Sequence, residues 1–179
     1  FAYVRVVNLN EDSTSVAYVQ PDGLGGLEDA SVDVAALDST KWLTTGTGTQ
    51  TILVGGVELS LDLGSTSRTT VFRVGEALTA EDEPGTQTAV RLVNATGASV
   101  SGFWTGEALG TVAPTAVGAP VSVSNKKGTL GIDEDGDGSV DLTFEVDSTG
   151  TDPVAGLYFM GGAVPTLLIH RTQDYMTVA

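Results

Sequence analysis

Three segments of this chain recur in the same order in its two halves. The pattern is clearest in VELSLDL at residues 57–63 and VDLTFEV at residues 140–146, which share an apolar, acidic, apolar, hydroxyl order. Repetition in a fixed order indicates a tandem duplication. We therefore expect two similar units. The matched segments are residues 2–8 with 88–94, 57–63 with 140–146, and 71–75 with 157–161.

Alternating apolar and polar residues predict short strands throughout the chain. Successive side chains of a strand point to opposite sides, so alternation indicates one buried face. Gly, Pro, Asn, Asp and Ser separate these runs, as is typical of β-sandwiches. Residues 32–42 predict one helical turn at most. The predicted strands are residues 2–8, 15–20, 50–54, 57–63, 68–74, 88–94, 99–104, 121–124, 128–132, 140–146, 155–160 and 165–170.

The predicted fold class is all-β, with two tandem β-sandwiches. We expect the first sandwich at residues 1–80 and the second at residues 88–179. An acidic, turn-rich linker at residues 81–87 is expected to join them, because domain boundaries favour such composition.

Residues 133–141 have the sequence DEDGDGSVD, which predicts a calcium-binding loop. Ca²⁺ takes about 6–8 oxygen ligands, and carboxylates at alternate positions can surround one ion. Gly138 is at the sixth position, where a sharp turn needs a residue without Cβ. A solvated acidic turn is the alternative, since Asp and Gly also favour turns. The predicted ligands are Asp133, Asp135, Asp137, the backbone carbonyl of Ser139, and Asp141, directly or through water.

The flanks of this loop predict a hairpin and not an EF-hand. Its twelfth position is Phe144, where an EF-hand has a bidentate Glu. The first half has only Gly55 and Gly56 at the matching place, so the loop is an insertion in one copy. The nine residues resemble the calcium loops of integrin-type propeller blades and thrombospondin-type repeats. We expect the ion to hold together a hairpin that is too long for turn chemistry alone.

Composition restricts the partners and the location. Eight Lys and Arg against 23 Asp and Glu give a net charge of −15, which opposes binding to nucleic acid and to anionic lipid. Apolar runs are much shorter than the roughly 18 residues of a membrane span, so a membrane-spanning chain is not expected. The sequence has no cysteine, which excludes disulfides and thiol catalysis. With a calcium loop, this composition favours an extracellular or cell-surface protein whose targeting segment has been removed.

The openings VRVVN at residues 4–8 and VRLVN at residues 90–94, with TVFRVG at residues 70–75, resemble a family of bacterial secreted and lipoprotein domains of unknown function. The family opening VRVxHASPDA is replaced here by NLNEDS after VRVV and by NATG after VRLV. The resemblance implies tandem immunoglobulin-like or transthyretin-like sandwiches, a surface location and a non-enzymatic role.

His170 is the only histidine and the one candidate for a hydrolytic base. No nucleophile elbow or metal-binding histidine pair accompanies it in the sequence. We therefore expect a strand residue without catalytic function, predict that the protein is not an enzyme, and keep a hydrolase as the third alternative.

Aromatic residues define the second alternative, a carbohydrate- or ligand-binding module. Burial in the two cores is the competing use of both tryptophans. Asn94-Ala95-Thr96 also fits an N-glycosylation sequon, although a turn at the end of a strand explains Asn94 equally well. The aromatic residues that could stack on a surface glycan are Trp42, Phe103, Trp104, Tyr158 and Phe159.

The first strand is a candidate for assembly. An apolar terminal strand can pair with the open sheet edge of another copy, or it can form the first strand of its own sandwich. The favoured function is a calcium-stabilised structural or adhesive surface protein that assembles as a homo-oligomer or filament. The predicted assembly residues are Phe1, Tyr3, Val4 and Val6.

Overall fold

The structure is a computed structural model that describes residues 1–83, 89–123, 127–147, 154–160 and 166–171. Only the backbone is described for Ala89, for residues 146–147 and for the last two stretches. Within these ranges the chain forms β-strands and turns and has no helix, which confirms the all-β prediction. The chain divides into two compact units, Phe1–Glu83 and Pro84–Ala179.

The first unit is a sandwich of two sheets. One sheet has the order β4-β1-β8-β9, with β5 also paired to β1, and the other has the order β3-β2-β6-β7. β1 and β8 are parallel, and the remaining pairs are antiparallel. The strands are β1 Ala2–Asn8, β2 Thr14–Pro21, β3 Leu27–Val34, β4 Asp38–Ser39, β5 Leu43–Thr45, β6 Gly48–Val54, β7 Val57–Leu63, β8 Arg68–Val74 and β9 Ala77–Asp82.

The core of the first unit lies between these sheets, because alternate residues of each strand face inward. In β7, for example, Leu61 and Leu63 are buried while Asp62 between them is exposed. Burial of each such aliphatic side chain contributes about 1.5–3 kcal/mol. The buried cluster consists of Ala2, Val4, Val6, Val16, Val34, Ile52, Val54, Leu61, Leu63 and Val71.

The second unit repeats the four-stranded sheet of the first. Its main sheet has the order β12-β11-β14-β15, while β10 pairs with β13 and β16 pairs with β17. The buried cluster consists of Val90, Leu92, Val100, Trp104, Val112, Leu130 and Ile132. The strands are β10 Ala89–Val90, β11 Val100–Trp104, β12 Glu107–Val112, β13 Val121–Ser122, β14 Lys127–Asp133, β15 Leu142–Asp147, β16 Val154–Met160 and β17 Thr166–Arg171.

Backbone hydrogen bonds occur at equivalent places in the two units. Thr40 N donates to Val6 O at 2.9 Å, and Gly118 N donates to Leu92 O at 2.8 Å. Val6 and Leu92 are matched residues of the repeated opening segment. The two units therefore share this hydrogen bond as well as the strand order of one sheet.

The register of the acidic hairpin differs by two residues from the sequence alignment. Val54 pairs with Val57 in the first unit, and the equivalent pair in the second unit is Ile132 with Leu142. Val57 therefore corresponds to Leu142, whereas the sequence match aligned it with Val140. A shift of two residues keeps every side chain on the same face, so alternation alone cannot detect it.

Several predicted boundaries also need correction. Residues 32–34 complete β3, and no helical turn follows in the described residues 35–42. The predicted strand 88–94 forms regular pairs only at Ala89–Val90, followed by an isolated bridge at Val93. The first two residues of the predicted linker 81–87 belong to β9, and residues 84–88 lie outside the described residues.

Candidate metal centre

The acidic loop connects β14 to β15 at one end of the main sheet of the second unit. Ile132 and Leu142 form the last strand pair, and Asp141 N donates to Ile132 O at 2.8 Å. The loop therefore spans residues 133–141 between two strands that are fixed by the core. It replaces the two-glycine turn of the first unit, as the sequence predicted.

Asp133 organises the loop from its buried end. Its side chain is buried, with the whole residue 3% exposed. Its Oδ1 accepts a hydrogen bond from Gly136 N at 2.6 Å, and its Oδ2 accepts one from Gly138 N at 3.0 Å. Both glycines have positive φ, 77° and 90°, which residues with a Cβ rarely adopt. The predicted need for glycine at position 138 is confirmed.

The other acidic side chains each cap a backbone amide of the loop. Asp135 Oδ1 accepts from Asp137 N at 3.1 Å, and Asp137 Oδ1 accepts from Ser139 N at 2.7 Å. Asp141 Oδ2 accepts from Glu134 N at 2.7 Å, which closes the loop. Each carboxylate is thus held in one orientation and keeps further lone pairs for other partners.

Three of the carboxylates converge. Asp133, Asp135 and Asp141 each offer one oxygen, and these oxygens lie within 4.8 Å of one another. Oxygens on opposite sides of a Ca²⁺ ion are about 5 Å apart, so three oxygens this close can contact one ion together. Carboxylate oxygens are also the ligands that this hard cation prefers. The three carboxylates could therefore hold a metal ion, and their oxygens are of the kind that calcium prefers.

Asp137, another predicted ligand, lies outside this three-carboxylate group. The predicted ligand atom of Ser139 is its backbone carbonyl, and the contact described for this residue is that of its backbone N–H with Asp137. Alternate spacing in the sequence therefore does not bring every carboxylate of the loop to one centre.

Gly131 helps to position the end of the loop. A Cβ placed on Gly131 would lie 3.0 Å from Val140 Cγ2, so the missing side chain leaves room for Val140 against β14. Val140 directly precedes Asp141, and its packing therefore influences where that carboxylate lies. Sequence reasoning missed this contact, although a glycine inside a predicted strand often marks such a close approach.

Both tryptophans make contacts inside their own units. Trp104 is 5% exposed and belongs to the core of the second unit, so it cannot serve in a sugar-stacking surface. Trp42 is half-buried, with Arg5 Cζ 4.5 Å from its ring centroid.

Among the other aromatic candidates, Phe103 is half-buried. Tyr158 and Phe159 lie in β16, and their side chains are outside the described residues, as is that of His170 in β17.

Asn94 of the sequon is a structural residue. It is completely buried, and its Nδ2 donates to Ala98 O at 2.7 Å, Val112 O at 3.0 Å and Ala113 O at 3.1 Å. A glycan on this nitrogen would require the loss of these contacts. The folded second unit therefore has no room for glycosylation at Asn94.

The predicted assembly residues form part of the first unit itself. Val4 and Val6 are buried in its core, and β1 is paired on both sides, with β8 and with β4 and β5. Tyr3 is half-buried, and Phe1 is 62% exposed. Assembly through donation of β1 would require this central strand to leave its own sheet.

No protein-family model matches this chain, and no curated protein matches it. The resemblance to bacterial secreted domains and to calcium loops of other proteins therefore stays a prediction. In the described part of the chain, no helix is long and apolar enough to cross a membrane.

Proposed function

We propose that this protein is a secreted or cell-surface structural or adhesive protein whose second unit is stabilised by calcium. The observation that carries the proposal is the convergence of Asp133, Asp135 and Asp141, with oxygens within 4.8 Å of one another. Like charges this close repel one another, and a divalent cation removes the repulsion. The ion would thereby fix a nine-residue loop to a rigid sheet.

An extracellular location agrees with this role. Loops of moderate affinity are filled at the millimolar calcium found outside cells. A net charge of −15 keeps such a protein soluble and disfavours adsorption to nucleic acid or anionic membranes. In this proposal the two sandwiches act as a non-catalytic scaffold, and homo-oligomers or filaments are its expected assemblies.

Calcium-dependent thermal unfolding tests the proposal. At a free Ca²⁺ concentration ten times Kd, linkage predicts about 1.4 kcal/mol of stabilisation. A chelator should then lower the melting temperature by several degrees. The double variant Asp135→Asn with Asp141→Asn retains oxygen acceptors for the backbone caps but removes two charges, so its melting should be insensitive to chelator.

Glu134→Gln provides the matched control. Glu134 is an exposed acidic residue of the same loop that lies outside the three-carboxylate group. This variant should keep the chelator effect. Identical melting of the parent protein in calcium and in chelator, with no calcium binding by calorimetry, would refute the proposed metal centre.

A further inference from the structure

The two units share the strand order of one sheet, and two features are present in only one of them. One such feature is the acidic loop of the second unit. The other is an extension of the β2–β3 hairpin in the first unit. In the second unit the equivalent hairpin closes directly after the pair Trp104–Glu107. In the first unit the hairpin continues to the pair Pro21–Leu27.

The tip of this extension is held in a defined conformation. Asp22 Oδ1 accepts hydrogen bonds from Leu24 N at 2.7 Å and from Gly26 N at 2.9 Å, and Asp22 N donates to Gly26 O at 3.1 Å. The turn nevertheless leaves Leu24 94% exposed and Leu27 48% exposed. The turn therefore places two leucines at the solvent-exposed end of the β2–β3 hairpin.

β3 is also an open sheet edge. It pairs with β2 over eight residues without a register shift, and no strand pairs with its other side in the described part of the chain. Natural edge strands are usually protected by charged side chains, Pro or a bulge. β3 has no Pro and no bulge, and its charged residues, Glu28, Asp29 and Asp33, are all acidic, so they oppose pairing with another acidic strand but not with a basic one. The equivalent hairpin of the second unit does contain a bulge, between Gly102 and Phe103.

The outer face of β3 has a definite chemical pattern. Val34 is buried in the core, so the residues of the other row, from Asp33 back to Leu27, point outward. Three of these outward residues, Asp29, Ser31 and Asp33, are exposed, and Leu27 continues the row to the tip. A strand added to this edge would place its own side chains opposite an apolar, an acidic, a hydroxyl and a second acidic residue.

We propose that β3 binds an extended segment of another protein by β-strand addition. In antiparallel pairing, the bound segment has basic residues opposite Asp33 and Asp29, a hydroxyl residue opposite Ser31, and an apolar residue against Leu27. Charge complementarity argues against a second copy of this chain as the partner. No strand at the end of a described sheet offers two basic residues four positions apart: β7, β9, β12 and β15 contain acidic residues and no Lys or Arg, and β17 has one arginine, Arg171.

A fluorescently labelled peptide, Lys-Val-Thr-Val-Lys-Thr-Leu, is the probe for this surface. We expect saturable binding by fluorescence anisotropy at low salt, weakening as added salt screens the charges. The variant Asp29→Lys with Asp33→Lys should bind at least about tenfold more weakly, since like charges then face each other. The opposite edge strand β7 has a similar outward row, Glu58, Ser60 and Asp62, but glycines at both ends of it in place of an apolar residue. The matched control, Glu58→Lys with Asp62→Lys, should therefore lose much less binding than the β3 variant.

A second probe separates strand addition from simple charge attraction. The same peptide with N-methyl groups at alternate residues keeps its side chains but cannot donate the backbone hydrogen bonds of a ladder. It should not bind. Absence of binding by the unmodified peptide, equal binding by both peptides, or equal loss in the two charge variants would overturn the proposal.

This surface is independent of the metal centre. Peptide binding should persist in chelator and in the variant Asp135→Asn with Asp141→Asn. Failure of the calcium proposal therefore leaves this result unchanged, and failure of peptide binding leaves the calcium result unchanged.

Discussion

Asn8 and Asn94 make the same turn in the two units. The Oδ1 of Asn8 accepts from Asn10 N at 3.3 Å, and that of Asn94 accepts from Thr96 N at 2.9 Å. Each Nδ2 donates to the carbonyl four residues later, Asp12 O in one unit and Ala98 O in the other, both within 2.7 Å. Both side chains are completely buried. In both units the repeated VRxVN opening therefore ends in a buried asparagine whose side chain holds the following turn.

Replacing either asparagine should destabilise its own unit. Asn94→Ala leaves the carbonyls of Val112 and Ala113 without this donor. A buried polar group left unsatisfied costs about 1–3 kcal/mol, so we expect a loss of about 3 kcal/mol in the second unit. Hydrogen exchange read by mass spectrometry should show faster exchange there, while Asn8→Ala should affect the first unit. Equally faster exchange in both units, from either variant, would contradict the prediction that each asparagine stabilises only its own unit.

The buried pair of Arg5 and Glu83 should be essential to the first unit. Arg5 Nη2 lies 3.6 Å from Glu83 Oε1, with 2% and 0% of the side chains exposed. Removing one partner of a buried ion pair costs about 3–5 kcal/mol, because the other charge stays buried. Glu83→Gln and Arg5→Met should each lower the free energy of unfolding by such an amount. The double variant should lose less than the sum, which a double-mutant cycle by denaturant unfolding measures.

Gly128 should tolerate no side chain. A Cβ at this position would lie 2.7 Å from Trp104 Cζ2 in the core of the second unit. Overpacking of this kind costs about 1–3 kcal/mol. Gly128→Ala should therefore shift the unfolding midpoint and change the tryptophan fluorescence. Gly97→Ala is the control, because a Cβ there has nothing within 4 Å; an equal loss in both variants would contradict the packing argument.

The turn at the tip of β2–β3 should loosen in acid. Hydrogen bonds from the backbone of Leu24 and then Gly26 lower the pKa of Asp22 from its ordinary value. A lowered pKa in the folded state means that ionised Asp22 stabilises the turn above the ordinary pKa of about 3.9. This contribution is lost as pH falls through the lower folded value.

Carboxyl-carbon NMR titration measures this pKa directly. The amides of Leu24 and Gly26 should move with the same titration, and these movements should vanish in Asp22→Asn. Titration of Asp22 at or above its ordinary value would show that the turn is not held by these hydrogen bonds.

Much of the fold could be predicted from alternation and repetition. β1, β7 and β8 have the predicted boundaries, because their apolar faces are regular and continuous. β3 was missed because its inner face is only weakly apolar: Val34 is buried, Ala30 and Val32 are half-buried, and Glu28 falls in the same row. β12 was missed for a related reason, since Gly110, with φ of 98°, interrupts its pattern.

The candidate site was predicted in part. Spacing in the sequence identified the loop and the need for glycine at position 138. It could not determine which carboxylates converge, because that depends on the path of the folded loop. Asp135 and Asp137 each accept from the amide two residues later, yet only Asp135 belongs to the group with Asp133 and Asp141.

The equivalence of the Gly55-Gly56 turn and the 133–141 loop makes the two connections interchangeable in principle. Each joins the last paired residues of matching strands, Val54 to Val57 and Ile132 to Leu142. Transplanting the nine acidic-loop residues into the first unit should create a second ion-responsive corner without altering the sheet that carries it. The opposite exchange should give a protein of the same architecture whose thermal stability does not depend on the ion. Under the proposed function, responsiveness to calcium would then be a modular trait that one connection adds to or removes from an unchanged scaffold.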